Sequence, residues 1–76
     1  SNTNYIYIDV KKGTKLNLVK YAPALKKAKF SIGEDSQYIT VNKKGVVSIK
    51  KKKDYVYGYV IATLNKKEYN IRIMGF

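Results

Sequence analysis

Apolar and polar residues alternate along most of the chain with a period of two, the spacing that puts successive side chains on opposite faces of a strand. Residues 5–10 place Ile6, Ile8 and Val10 on one face. Lys12-Gly13-Thr14 breaks the run as a turn, and Leu16-Asn17-Leu18 resumes it with both leucines on one side. Residues 21–27 hold the single proline, Pro23, among small residues, and read as a connecting loop with a helical turn over 24–27. Alternation returns over 28–32, with Phe30 and Ile32 inward, and stops at the polar turn 33–36. Ile39-Thr40-Val41 and Val46-Val47-Ser48-Ile49 form a hairpin around residues 42–45, whose Gly45 stands where a hairpin needs positive φ. After a charged turn at 50–54, residues 55–64 make the longest strand, with Val56, Gly58, Val60, Ala62 and Leu64 on its core face. A tight turn at 65–67 leads to a last strand, with Tyr69, Ile71 and Ile73 inward.

Seven short strands with turns every ~8–12 residues and almost no helix predict an all-β fold, a two-sheet sandwich or a small barrel. The expected interior is Phe30, Ile32, Ile39, Val41, Val47, Ile49, Val60, Ala62, Ile71 and Ile73.

The length of 76 residues suits one domain, expected over residues 3–76. Ser1-Asn2 has the look of a tag-cleavage remnant. With no cysteine, packing and sheet hydrogen bonds must hold the fold. No apolar run reaches the ~18 residues of a membrane span. The formal charge is +11, and Arg72 is the only arginine among 16 cations. Such an excess attracts anionic partners, but lysine suits a diffuse field better than the planar, bidentate reading that arginine performs.

The second half of the chain resembles bacterial immunoglobulin-like domains of group 2. Ile39-Thr40-Val41, the turn ending at Gly45 and the strand 46–49 match that family's short apolar strand, Gly-terminated turn and Val-rich strand. Val60-Ile61-Ala62-Thr63 matches the end of its long strand, and 69–73 its closing strand. In the first half, the Gly13-to-Leu16 segment looks like the family's turn into its second strand, and Phe30 takes the place of a frequent Trp. Lys53-Asp54 departs from the usual Gly-Thr. The resemblance implies an immunoglobulin-like β-sandwich. It also implies a spacer or adhesion module at the bacterial cell surface or outside the cell, with neighbouring domains of the same polypeptide, carbohydrate or an anionic cell-wall polymer as partners.

Absence of His and Cys removes the usual nucleophile systems and zinc sites, and no cofactor is expected. Glu34-Asp35 reads as a polar turn ahead of a weak calcium site. The tyrosines are the candidate contact surface. Tyr55, Tyr57 and Tyr59 lie opposite the core face of the longest strand, and Tyr5 and Tyr7 lie opposite Ile6 and Ile8. One reading makes them ordinary strand residues with half-buried rings. Another makes them a flat aromatic strip for sugars, a neighbouring domain or bases. Interleaved with lysine, such a strip also fits the alternative of a basic barrel that binds single-stranded nucleic acid.

Overall fold

The computed structural model describes residues 4–51 and 54–76. Ser1-Asn2 and the Lys52-Lys53 part of the charged turn, including the first residue of the Lys53-Asp54 departure, lie outside the described residues.

Among the described residues, seven strands form two sheets. They are β1 (Asn4–Val10), β2 (Lys15–Asn17), β3 (Lys29–Ile32), β4 (Ile39–Val41), β5 (Val46–Ile49), β6 (Val56–Leu64) and β7 (Lys67–Gly75). A four-stranded sheet has the order β1-β7-β6-β3, and a three-stranded sheet the order β2-β5-β4. β1 runs parallel to β7, from Asn4 opposite Tyr69 to Val10 opposite Gly75, and the other pairings are antiparallel. Two separate sheets make a sandwich and not a single closed barrel. The period-two pattern decides the layering. Val56, Val60, Ala62, Ile71 and Ile73 face Ile39, Val47 and Ile49 across the interior, all of them buried.

β6 and β7 join through a two-residue hairpin, Asn65-Lys66, with φ of 51° and 66°, and Leu64 pairs with Lys67. Positive φ at both central residues gives the turn whose twist matches that of the strands. In the β4–β5 turn the Asn42 side-chain oxygen accepts from the Lys44 and Val46 amides at 2.9 and 3.0 Å, and Gly45 adopts φ 84°.

The helical turn expected over 24–27 forms, and two other expectations change. Leu16-Asn17-Leu18 is not a continuous strand. Asn17 Oδ1 accepts from the amides of Val19 (3.0 Å) and Lys20 (3.2 Å) and caps a short helix, α1 (Leu18–Tyr21). The following loop holds a 3-10 turn over Pro23–Lys27 with proline in its first turn. α1 packs on β5 and the 3-10 turn on β6, so Leu18 and Leu25 are buried core residues supplied from outside the strands. Second, Ile32 is 40% exposed and Phe30 and Val41 only half-buried, although Ile32 pairs with fully buried Val60. β3 is the outer strand of a four-stranded sheet covered by only three strands, so its inward side chains meet solvent at the rim. A half-buried Phe30 ring does not carry the full truncation cost of a core aromatic.

One polar side chain among the described residues is buried, Ser36, and it completes the sheet. β3 stops early, after which the Gly33 amide donates to the Tyr59 carbonyl at 2.7 Å. The Tyr59 amide would then be bare, but it donates to Ser36 Oγ at 2.8 Å, while that hydroxyl donates to the Glu34 carbonyl at 3.0 Å. Ser36→Ala should therefore cost about 1–3 kcal/mol, the range for stranding a buried donor. A urea titration followed by circular dichroism checks this, and a change under about 0.5 kcal/mol would mean that water takes over the hydroxyl's role.

Candidate functional site

The outward residues of the four-stranded sheet alternate with its core. β1 presents Tyr5, Tyr7 and Asp9, β7 presents Glu68, Asn70, Arg72 and Met74, and β6 presents Tyr57, Tyr59, Ile61 and Thr63. Register turns these into rows across the sheet: Asp9–Met74–Tyr57, Tyr7–Arg72–Tyr59 and Tyr5–Asn70–Ile61. Tyr5, Tyr7, Tyr57 and Tyr59 thus share one face, with Arg72 between the two pairs. Tyr55 comes just before β6 and lines a hollow with Tyr57, Tyr59, Arg72 and Met74.

Geometry stiffens this face. The Arg72 guanidinium carbon lies 5.4 Å from the Tyr7 ring centroid, a cation–π distance. The Tyr57 and Tyr59 rings meet edge to face, with centroids 6.4 Å apart and planes at 84°. Exposure falls from Tyr55 (61%), just before β6, through Tyr57 (44%) to half-buried Tyr59, while Tyr5 and Tyr7 are exposed. The β6 tyrosines form a ridge with hollows on both sides. One of about 340 Å³ lies toward Arg72 and Met74. Another of about 360 Å³ is lined by Glu34, Asp35, Tyr59, Ile61 and Asn70. A third, about 440 Å³, separates Tyr55 and Tyr57 from the β3–β4 turn. Volumes near 300–400 Å³ lie at the small end of ligand sites, about the room a sugar ring or two needs. Asn70 Oδ1 is buried with no hydrogen-bond partner among the described residues.

The lysines do not interleave with these rings. β6 contains none, and Arg72 is the cation among the tyrosines, with Asp9 at the end of a neighbouring row. Glu34 and Asp35 stay together in the β3–β4 turn, where Asp35 has φ 56°. Among the described residues no three of His, Cys, Asp and Glu come together, and no helix is long and apolar enough to cross a membrane. Sequence reasoning missed Arg72 and Asn70. Their outward parity opposite Ile71 and Ile73 was readable, but β7 lying between β1 and β6 was not.

No protein-family model matches the sequence, and no curated protein matches it. Among solved structures, the chain superposes on a crystal structure of a bacterial Ig-like domain-containing GH10 xylanase from termite gut, with a TM-score of 0.71. The superposition covers 91% of this chain and 18% of that one, at 16% sequence identity. At that identity the likeness is one of fold, and the two-sheet architecture agrees with it: the domain is an immunoglobulin-like β-sandwich.

Proposed function

We propose that this domain is a non-catalytic immunoglobulin-like spacer and adhesion module of the group 2 kind, carried by a bacterial surface or secreted protein, and that its tyrosine face contacts carbohydrate. The observation that carries the reading is the gathering of Tyr5, Tyr7, Tyr55, Tyr57 and Tyr59 around Arg72 on one sheet. Flat rings beside hollows of one-sugar size suit the apolar faces of pyranose rings, and Arg72 offers donors to hydroxyls. The fold neighbour belongs to a xylanase, which makes xylan a natural first probe.

The test is affinity electrophoresis against arabinoxylan, mixed-linkage glucan and a chitin oligomer at ~150 mM salt, where diffuse lysine fields are screened over ~8 Å. At least one neutral glycan should retard the protein. Tyr55, Tyr57 and Tyr59→Ala should abolish that retardation with the fold intact, because ~50 Å² of apolar contact per ring is worth ~1 kcal/mol. Glycan binding unchanged in the triple variant would overturn the assignment of the face. Micromolar, ring-dependent binding of single-stranded DNA at the same salt would favour nucleic acid instead.

A further inference from the structure

Three lysine pairs meet at one end of the sandwich: Lys26-Lys27 in the 3-10 turn, Lys43-Lys44 in the β4–β5 turn and Lys66-Lys67 at the β6–β7 hairpin, all exposed. Register brings them together. Lys29 pairs with Thr63, so the 3-10 turn just before β3 lies beside the β6–β7 hairpin. A Cβ on Gly45 would stand 2.8 Å from the Phe30 ring, which sets the β4–β5 turn against the start of β3. Strands of nine residues span ~30 Å. The 38 Å dimension of the domain therefore runs along them, and the basic end is bounded by the other two, 25 and 17 Å.

Among the described residues, one carboxylate faces these six lysines. Glu68 lies there, opposite Thr63. Asp9, Glu34, Asp35 and Asp54 belong to the other half, marked by the pairing of Asp9 with Met74, the Gly33–Tyr59 bond and the bond from Lys12 Nζ to the Asp54 carbonyl. None of the six lysines is in an ion pair among the described residues. Crowded, unpaired cations repel one another, and a bound chain of anions removes that repulsion.

We infer that this end is a binding site for a linear polyanion with repeating phosphate groups and no bases, separate from the tyrosine face. Two observations favour phosphate chains over nucleic acid. All six cations are lysines, point charges without the arginine fork that reads base edges. The β6 tyrosines run toward the opposite end, and the exposed rings on the lysine side are Tyr21, on the helix packed against the 3-10 turn, and Tyr5, at the start of β1 beside Asn70. Two rings on separate elements, one on the helix and one on β1, make no continuous stacking row. The site stands whether or not the tyrosine face takes carbohydrate.

The test compares two variants of equal net charge. One carries Lys26, Lys27, Lys43 and Lys44→Gln. The other carries Lys11, Lys15, Lys50 and Lys51→Gln, at or toward the opposite end. Binding of long-chain inorganic polyphosphate is measured from ~50 to ~200 mM salt, with circular dichroism confirming the fold. The basic-end variant should lose more than ~10-fold in affinity and lower the log–log salt slope by ~3, at ~0.7 per contact on a flexible chain. The opposite-end variant and the tyrosine triple variant should stay within ~3-fold of wild type. Equal losses in the two lysine variants would reduce the effect to net charge and overturn the site. So would no binding at ~50 mM salt, or tighter binding of oligo(dT) that disappears with Tyr21→Ala.

Discussion

Gly45→Val will destabilise the domain by about 3–5 kcal/mol, a large part of the ~4–11 kcal/mol expected for its size. Two costs coincide. The residue holds φ 84°, where a β-branched side chain is strained by about 1–3 kcal/mol. A Cβ would also approach Cε2 and Cζ of Phe30 to 2.8 Å, forcing the ring outward or the β4–β5 turn away from β3. The Gly45 carbonyl accepts from the Leu18 amide at 2.9 Å, so a displaced turn also loosens the helix that supplies buried Leu18. Urea midpoints measured by circular dichroism give the total. A double-mutant cycle separates the parts: Phe30→Ala should remove the contact cost of Gly45→Ala and leave the backbone cost. If Gly45→Val melts with the wild type, the conformation described for this turn is wrong.

The second large effect is expected at Gly58, for a different reason. Its φ is not in the left-handed region, so the cost is one of space alone. Gly58 sits on the inner face of β6, where the two sheets come close. A Cβ would lie 2.7 Å from Ile39 Cδ1, 3.2 Å from Ile39 Cβ and 3.1 Å from Ser36 Cβ. The end of the Ile39 side chain can rotate, but its Cβ and that of Ser36 cannot move without their backbone. Moving Ser36 also breaks its bond with the Tyr59 amide. Overpacking at about 1–3 kcal/mol and a stranded donor at about 1–3 kcal/mol give Gly58→Val a cost of about 2–6 kcal/mol. Thermal and urea melts of Gly58→Ala and Gly58→Val should form a graded series. Ile39→Ala should recover part of the Gly58→Ala loss, and strictly additive losses would exclude the contact with Ile39.

Much of this architecture was legible because most strands bury one face, and a period of two then survives in the sequence. Val56, Gly58, Val60 and Ala62 show it in β6, and Ile71 and Ile73 in β7. The pattern misled where burial depends on position in the sheet. Ile32 alternates like a core residue, yet it sits on an outer strand at the rim. It also misled at Leu16-Asn17-Leu18, because a strand and a strand ending in an Asn-capped helix both bring the two leucines inward. The tyrosine face was half readable. Parity gave each group its side of its own strand, but the joining of Tyr7 to Tyr59 through Arg72 depends on a pairing between the first and last strands. No local sequence signal encodes a contact over that separation.

That pairing has a further meaning in a protein that bears load. β1 and β7 run parallel through seven matched positions, so tension entering at the start of β1 and leaving at the end of β7 pulls the two strands along each other. In this arrangement the ladder's hydrogen bonds are strained together in shear and must fail nearly at once. An antiparallel hairpin pulled from its open end unzips one bond at a time. The β6–β7 hairpin lies outside the direct path of the force, and the β1–β7 seam acts as its clamp. A module placed in series with others would thus stay folded under pulls that peel weaker geometries apart, and its length along the strands would remain near 38 Å.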